Sequence, residues 1–300
     1  MADRRVLVFG RSGQLALELA RNPWPAGYVA TCHGRESCDL LAGGDPAALI
    51  ERLAPALVVS AAAYTAVDKA ESEPEAAYAL NRDAPGRIAA ACERHGLPLV
   101  HISTDYVFDG AKTAPYVEDD PIAPISIYGA SKAEGEAAVR RALDRHVILR
   151  TAWVYSPFGS NFVKTMLALG ATRDRLRVVT DQRGSPTAAG EIARTIIAMT
   201  GRLAAGGASF GTYHFAGGGQ ATRYELADAI FARAASHGRT RPILEPTSSA
   251  EFPVPARRPA NSALNCARLA RDWGILSLPW QNALDATVDE ILAGGSEDGR

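Results

Sequence analysis

Cysteine, lysine and long apolar runs are all scarce in this chain of 300 residues. Its four cysteines (Cys32, Cys38, Cys92 and Cys266) form no Cys-x-x-Cys pair, which argues against a disulfide scaffold and predicts reduced thiols. The apolar stretch at 57–63 is far shorter than the ~18–20 residues that a membrane span requires. The N-terminal residues carry no signal-peptide pattern. We therefore expect a cytoplasmic protein that does not bind a membrane.

Excess charge and clustered metal ligands are missing as well. The 33 acidic and 32 basic residues leave a formal net charge of −1, so no global field attracts nucleic acid. The six histidines show none of the paired spacings typical of zinc sites, and we expect no metal. With 47% hydrophobic and 22% charged residues the chain is typical of globular proteins, and its length predicts two domains or one large α/β unit.

Short apolar runs alternate with helix-like segments through the first half of the chain. Strands buried on both faces are almost continuously apolar, and this holds at 6–9, 28–31, 57–60, 99–102 and 147–149. Helices are predicted between them at 15–20, 46–53 and 74–95. The alternation predicts an α/β fold of the Rossmann type, with a doubly wound parallel sheet. A βα barrel is the alternative.

The alternation loosens near residue 155, where glycine and proline become frequent. We predict a dinucleotide-binding Rossmann domain at residues 1–155 and a smaller mixed α/β substrate lobe at 156–300. This prediction leaves open that some segments of the lobe pack as part of the first domain. Within the lobe, Thr222 and Glu225 have the spacing of a capping box, which predicts that a helix begins there.

A glycine-containing loop follows the first predicted strand and opens the first helix. Glycines let the backbone turn tightly and approach a pyrophosphate, and the N–H groups of a helix start attract its negative charge. The spacing Gly-x-x-Gly-x-x-Ala is a shortened form of the dinucleotide fingerprint, and a plain strand-to-helix turn is the alternative. The candidate cofactor-binding residues of this loop are Gly10, Arg11, Ser12, Gly13, Gln14 and Leu15.

The end of the second predicted strand bears on the choice between NADH and NADPH. An acidic residue there would bind the ribose hydroxyls of the adenosine half. The sequence after Thr31 reads Cys-His-Gly-Arg-Glu, with no carboxylate at the strand end and with Arg35 close by. We therefore expect NADPH or NADH as cofactor, with NADPH slightly favoured. The alternative is that Arg35 is a solvated loop charge.

A Tyr-x-x-x-Lys pair stands out because the chain has only four lysines. Tyr128 and Lys132 share one face of a predicted helix, and an ammonium near a phenol lowers its pKa from about 10. Such a tyrosine protonates a carbonyl oxygen as a hydride reaches the carbon. Thr104, at the end of the fourth predicted strand, is placed to hydrogen-bond the same oxygen. The alternative is an ordinary helical Tyr and Lys.

Taken together, these motifs resemble the extended short-chain dehydrogenase/reductase superfamily and, within it, the family of dTDP-4-dehydrorhamnose reductases. The resemblance implies NAD(P)H-dependent reduction of the 4-keto group of dTDP-4-dehydro-L-rhamnose, a small nucleotide-sugar substrate. It covers nearly the whole chain. The matching stretches are 10–15, 61–71, 103–110, 128–132, 150–155, 161–163, 181–187 and 257–259, with Ser262 and Asn265.

The resemblance also implies roles for individual residues. Tyr128 would be the acid/base, with Thr104 and Lys132 beside it. The cofactor would further contact Asp39, Leu40, Ala62, Ala63, Tyr64, Thr65, Tyr128 and Lys132. The substrate would contact Thr104, Asp105, Val107, Phe108, Tyr128 and Trp153. For Trp153 a place in the core is the alternative.

Departures from the family pattern bear on metal use and oligomeric state. Some members are described as metal-bridged dimers that use glutamates, whereas Leu15 stands at one of those positions here. Glu191 and Glu290 are present, but we expect no metal and leave open a monomer or a homodimer.

Two other functions are kept as alternatives. One is a nucleotide-sugar dehydratase or epimerase of the same superfamily, against which Tyr106 stands where dehydratases carry a Glu. The other is a noncatalytic regulatory binding subunit, which has no physical need of an intact Thr104, Tyr128 and Lys132.

Overall fold

A computed structural model describes residues 3–207 and 209–294 of the chain. Its centre is an open sheet in which every pairing between neighbouring strands is parallel. This confirms the predicted Rossmann-type sheet and excludes the barrel alternative. In spatial order the six strands are β2 (Tyr28–His33), β1 (Arg4–Phe9), β3 (Leu57–Ser60), β4 (Leu99–Thr104), β5 (His146–Thr151) and β10 (Gly211–His214).

Helices cover both faces of this sheet, which explains why its strands read as continuous apolar runs. Successive side chains of β1 point to opposite faces, so Val6 and Val8 join one buried cluster while Leu7 and Phe9 join another. The first face carries α1 (Gln14–Arg21) and α8 (Ala189–Ala205); the second carries α2 (Pro46–Leu53), α5 (Ala84–Arg94) and α6 (Ile127–Ala142).

The helix predicted at 74–95 is divided by a π-helical segment. It consists of α4 (Pro74–Tyr78), the π-helical turn Ala79–Asp83 and α5. The turn brings the carbonyl of Asn81 so close to α6 that a Cβ atom on Gly135 would lie 2.0 Å from its oxygen. The Asn81 side chain donates to Ser131 Oγ at 3.0 Å and accepts from the backbone N–H of Tyr64 at 2.8 Å. The turn therefore fixes α6 against the loop that follows β3, a loop that also contains α3 (Val67–Ala70).

Within the described residues, the second half of the chain contains three small two-stranded sheets. They pair β6 (Val154–Tyr155) with β9 (Thr187–Ala188), β7 (Arg175–Val179) with β12 (Ile243–Thr247), and β8 (Arg183–Gly184) with β11 (Ala221–Thr222). The accompanying helices are α7 (Phe162–Gly170), α9 (Arg223–Ser236), α10 (Ala267–Trp273) and α11 (Trp280–Gly294).

The capping box predicted at the start of α9 is confirmed. Thr222 Oγ1 accepts from the N–H of Glu225 at 3.1 Å, and the Glu225 carboxylate accepts from the N–H of Thr222 at 2.6 Å. Strand β10 is part of the large sheet and helix α8 packs on one of its faces, although both follow residue 155. The division of the chain into domains at residue 155 therefore stays a prediction. Within the described ranges no helix combines the length and apolar character needed to cross a membrane.

The contact between α6 and the π turn predicts a large cost for Gly135→Ala. The added Cβ would overlap the Asn81 carbonyl, and overpacking of this kind costs about 1–3 kcal/mol of unfolding free energy. Urea unfolding measures the change. The matched control is Gly201→Ala in α8, where nothing lies within 4 Å of an added Cβ. That variant gains about 1 kcal/mol or less, because alanine is the better helix former. Equal midpoints for the two variants would contradict the expected clash.

Candidate active site

A cavity of about 980 Å³ opens beyond the carboxyl ends of the central strands and is called the central cavity below. Strand β2 lies on one side of β1, whereas β3 and the strands after it lie on the other side, and ligands of doubly wound folds bind at such a switch point between β1 and β3. The volume of the central cavity lies at the upper end of the ~300–1,000 Å³ typical of ligand pockets. Of the predicted site residues, those lining it are Gly10, Arg11, Ser12, Gly13, Gln14, Leu15, Arg35, Asp39, Leu40, Ala62, Ala63, Thr65, Thr104, Asp105, Tyr128, Lys132 and Trp153.

The glycine loop has the geometry required to hold a pyrophosphate. Gly10 has φ of +132°, a left-handed conformation that favours glycine, and an added Cβ would lie 3.4 Å from the backbone N of Ala62. Gly13 is the N-cap of α1, and no described side chain caps that helix. A Cβ on Gly13 would meet nothing within 4 Å, so the loop leaves open space in front of the helix start. The residues present therefore fit a dinucleotide cofactor.

In the segment that follows β2, the charged side chains leave room for a phosphate group of the cofactor. Glu36 accepts from Arg11 Nη1 at 2.7 Å and from the N–H of Gly34 at 3.2 Å, so Arg11 offsets its charge. Arg35 is exposed and makes no hydrogen bond or ion pair within the described ranges. The Asp39 carboxylate accepts two backbone N–H groups of its own loop, from Leu41 and Ala42.

Tyr128 and Lys132 are positioned by the start of α6. Ser126 is the N-cap and accepts from the N–H of Gly129 at 3.2 Å, which places Tyr128 in the first turn. Lys132 follows one turn later, is 3% exposed, and donates from Nζ to the carbonyl oxygen of Ile102 in β4 at 2.6 Å. Thr104 ends the same strand and also lines the cavity. The fold thus gathers all three predicted catalytic side chains.

The electrostatics of the polypeptide alone differ from the sequence expectation. Burial raises the pKa of Tyr128 above its ordinary value, with a further increase from Asp105, while hydrogen bonding to Thr104 acts in the opposite direction. Burial outweighs the other effects in the polypeptide alone, where Lys132 Nζ donates to the Ile102 carbonyl, and a lowering of this pKa by Lys132 stays a prediction. Tyr128 is consequently protonated near neutral pH, the form that a proton donor requires. Burial lowers the pKa of Lys132 to about 8, against an opposing effect of Glu136.

Two buried polar atoms in the cavity wall have unused hydrogen-bonding capacity. Asp105 accepts from Thr104 Oγ1 at 2.9 Å through Oδ1; within the described part of the chain Oδ2 makes no hydrogen bond of normal geometry, although the Ser262 hydroxyl is near enough to act on the pKa of this carboxyl. The Thr151 hydroxyl is also buried and has no hydrogen-bond partner among the described residues. Burial raises the pKa of Asp105 to about 6. Because unpaired buried polar atoms are costly, both atoms fit a ligand rich in hydroxyl groups.

Trp153 is held at the cavity by three features of the structure. Its backbone has φ of +47°, which is uncommon for a residue other than glycine. Gly184 lies against the indole, and a Cβ there would come within 2.3 Å of Trp153 Cε2. The guanidinium of Arg223 stacks on the indole, with its carbon 3.6 Å from the ring centroid. The indole is partly buried and lines the central cavity.

Arg223 also lines the cavity, and sequence analysis did not single it out. It is the first residue of α9, directly after the capping residue Thr222, and the sequence there signals only a helix start. Burial lowers the pKa of its guanidinium to about 10. Only the folding of the second lobe onto the sheet brings it beside Trp153.

Three predicted binding residues do not line the central cavity. Tyr64 donates its hydroxyl to Glu73 at 2.5 Å and is held by Asn81 through its backbone. Val107 and Phe108 are completely buried, and Phe108 stacks on Tyr116 with ring centroids 4.2 Å apart. The resemblance implied that these residues contact cofactor or substrate, and those contacts stay a prediction, since the three residues are not among those that line the central cavity.

The glutamates considered for metal binding are engaged in ion pairs. Glu191 pairs with Arg194, and Glu290 pairs with Arg21. Within residues 3–207 and 209–294 there is no group of three or more His, Cys, Asp or Glu side chains that could hold a metal ion.

Comparisons with known proteins agree with this geometry. The model of a family described as the RmlD substrate binding domain matches residues 4–293. A dTDP-4-dehydrorhamnose reductase of Sinorhizobium fredii is 44% identical over 295 residues, covering 98% of this chain and 99% of the relative.

Solved structures give the same result. A dTDP-4-dehydrorhamnose reductase of Clostridium acetobutylicum has a TM-score of 0.89 at 33% identity, and one of Bacillus anthracis in complex with NADP has 0.88 at 34%. Each comparison covers 96% of this chain and 99% of the other.

The doubly wound sheet and the Thr, Tyr and Lys side chains at its switch point define an extended short-chain dehydrogenase/reductase. The family match and the curated relatives narrow this class: the chain belongs to the dTDP-4-dehydrorhamnose reductase family.

The contact between Gly184 and Trp153 predicts a selective defect in Gly184→Ala. The added Cβ displaces the indole, so the KM for a sugar substrate is expected to rise about tenfold, equivalent to about 1.4 kcal/mol of lost aromatic contact. Cofactor affinity, measured by fluorescence titration, is unchanged. Gly170→Ala is the control, because its Cβ would strike Phe231 in the core of the same lobe, away from the cavity. A KM rise of equal size in the control would show that general loss of stability is the cause.

Proposed function

We propose that this chain reduces the 4-keto group of dTDP-4-dehydro-L-rhamnose to give dTDP-L-rhamnose, with NADPH or NADH as reductant. The observation that supports this most strongly is the gathering of Thr104, Tyr128 and Lys132 at the same cavity as the glycine-containing start of α1, which no described side chain caps. The cavity thereby offers a pyrophosphate cradle and a proton donor side by side. The reductase relatives are named for this reaction.

Reduction of a ketone adds one hydride to carbon and one proton to oxygen. When bound, NAD(P)H supplies the hydride. Tyr128 supplies the proton to the carbonyl oxygen, since its phenol is protonated near neutral pH. The Thr104 hydroxyl orients the same oxygen, and Lys132 holds a positive charge beneath the site that stabilises the phenolate left by proton transfer. The proton on Tyr128 is then restored from solvent.

The sugar is oriented by the wall opposite the loop. The indole of Trp153 offers a flat face for stacking, and the free Asp105 Oδ2 and Thr151 hydroxyl accept or donate hydrogen bonds to sugar hydroxyls. The glycine loop holds the pyrophosphate of the cofactor, and Arg35 is placed to contact a 2′-phosphate.

The dehydratase alternative lacks its acid. Tyr106 lies edge-on to Tyr128, with ring centroids 5.5 Å apart, and burial raises its pKa above the ordinary value for a phenol. A phenol in that state cannot replace a carboxylic acid in the elimination of water.

We further propose a cytoplasmic location and a monomer or homodimer.

A turnover assay with product identification tests the proposed function. The enzyme is incubated with dTDP-4-dehydro-L-rhamnose and each reduced nicotinamide, and the product is identified by NMR. Formation of dTDP-L-rhamnose with oxidation of the nicotinamide is the expected result. Cofactor binding without turnover would favour a regulatory binding subunit, and a 4-keto-6-deoxy product from dTDP-glucose would favour a dehydratase.

Removal of the phenol hydroxyl tests the proton donor. In Tyr128→Phe, kcat is expected to fall about 10²–10⁴-fold, the usual contribution of general acid catalysis, while the Kd for NADPH is unchanged. Steady-state kinetics and fluorescence titration measure the two quantities. Tyr78→Phe is the control, because Tyr78 packs against Arg82 outside the cavity. Near-normal turnover in Tyr128→Phe would rule out the assigned acid.

Arg35→Ala tests the preference for phosphate on the cofactor. The ratio of kcat/KM for NADPH to that for NADH is expected to fall about fivefold, because an exposed ion pair contributes about 1 kcal/mol. Arg94→Ala, at the exposed end of α5, leaves the ratio unchanged. An unaltered ratio in Arg35→Ala would mean that this guanidinium does not contact the 2′-phosphate.

A further inference from the structure

Tyr128, Lys132 and Glu136 follow one another at intervals of four residues along α6, so all three lie on one face of the helix. The first two reach the central cavity. The third is completely buried beneath it, at 0% exposure, and has no part in the reaction described above. A carboxylate this deep in a protein is rare and requires compensation by cations or hydrogen bonds.

The Glu136 carboxylate is compensated from two strands. Arg150 in β5 donates to both of its oxygens, from Nε at 2.8 Å and from Nη2 at 2.7 Å. The Ser103 hydroxyl in β4 donates to Oε1 at 2.6 Å. Arg140, one turn further along α6, adds a contact at 3.2 Å. Ser103 directly precedes Thr104, and Ile102 before it binds Lys132, so the carboxylate joins both elements that carry catalytic side chains.

We propose that Glu136 is a positioning residue that holds Lys132 in its charged form against β4, and that it thereby supports proton transfer by Tyr128. The proposal rests on the function proposed above only for its kinetic consequence. Its electrostatic part concerns the polypeptide itself and is measurable without substrate.

Of the charged groups around this face, the Glu136 carboxylate, one turn of α6 away, favours the charged form of Lys132 in addition to the Ile102 carbonyl that accepts from its Nζ. Burial lowers the pKa of His101 well below its usual range, and burial together with Arg150 lowers that of His214 to about 3, so both rings are neutral near pH 7. Asp105 faces the phenol of Tyr128. The titratable and charged groups around Lys132 and Glu136 are His101, Asp105, Glu118, Tyr128, Arg140, His146, Arg150 and His214.

Protonation states support the arrangement. Burial acts to raise the pKa of Glu136, but the hydrogen bonds and charge of Arg150 reverse this effect and hold it below its usual value. Glu136 is therefore ionised at neutral pH. Burial lowers the pKa of Lys132 and Glu136 opposes that effect, so removal of the carboxylate charge makes the ammonium lose its proton at lower pH.

Direct titration of Lys132 tests the proposal. The full-length protein is labelled with ¹³C- and ¹⁵N-lysine, which gives only four side-chain signals, and Lys132→Arg identifies the signal of Lys132. In Glu136→Gln the titration midpoint is expected to fall by about one pH unit, as for loss of one neighbouring charge. Glu136→Asp, which keeps the charge, restores a midpoint near that of the wild type. A midpoint in Glu136→Gln equal to that of the wild type would overturn the proposal.

Kinetics test the consequence for the reaction. In Glu136→Gln the high-pH limb of kcat/KM is expected to move to lower pH by the same interval, so activity lost at a given pH is recovered about one pH unit lower. Glu134→Gln is the matched control, because Glu134 is an exposed residue of the same helix, paired with Arg82 at 3.4 Å. A uniform loss of kcat at every pH would indicate a purely structural role and would contradict the proposal.

A second variant keeps the test valid if Glu136→Gln unfolds, since that change leaves Arg150 buried without a partner. Glu136→Gln/Arg150→Met removes both charges, and because loss of the Arg150 cation acts in the opposite direction, a smaller downward shift of the Lys132 midpoint is expected. Absence of that shift in the folded double variant would overturn the proposal. If the wild type does not turn over the 4-keto sugar, the proposed function fails, while the titration still decides the electrostatic claim.

Discussion

The geometry of the active site depends on how helix α6 packs against the large sheet. Helix α6 supplies Tyr128 and Lys132, and strand β4 supplies Thr104, so their relative placement depends on the fit between these two elements. On one side, Gly135 permits the carbonyl of Asn81 to approach the helix closely. Beneath, the buried Glu136–Arg150 pair ties the helix to β5. A rotation of α6 by a small angle would break both contacts, so the catalytic face has little freedom to turn.

The switch in strand order at β1 explains why cofactor and catalytic groups share a cavity. Strands β2 and β3 lie on opposite sides of β1, so the connections after β1 and β3 diverge and a crevice opens at the carboxyl ends of the strands. The glycine loop lies in this crevice. Strands β4 and β5 carry Thr104 and Thr151 to the same edge. Trp153, which follows β5, and Arg223 of the second lobe complete the enclosure and stack on each other. The reaction centre is thus assembled at the contact of two parts of the chain.

Much of this arrangement could be read from the sequence because it has local causes. Continuous apolar runs predicted β1 and β3, because strands buried on both faces consist of apolar residues. The glycine spacing predicted the start of α1, because the tight turn there involves neighbouring residues only. The Tyr-x-x-x-Lys spacing likewise follows from helical periodicity. The reach of Lys132 to the Ile102 carbonyl could not be read, because it depends on the distance between two elements that are 30 residues apart.

The remaining differences have the same origin. Val107 and Phe108 follow a catalytic strand, and adjacency in sequence suggested adjacency in space, but the turn after β4 directs both into a separate core with Tyr116. The π turn was hidden in an alanine-rich stretch that looks uniformly helical. Arg223 lies 70 residues after Trp153, and no local pattern connects the two.

Strand β10 has a consequence for synthesis on the ribosome. The edge of the large sheet is closed by Gly211–His214, far beyond the other five strands in the chain. While translation proceeds through the intervening segments, the edge of β5 is left without its neighbour, exposing unpaired backbone groups of the kind that promote association between nascent chains. A truncated polypeptide that stops near residue 155 would carry this open edge permanently.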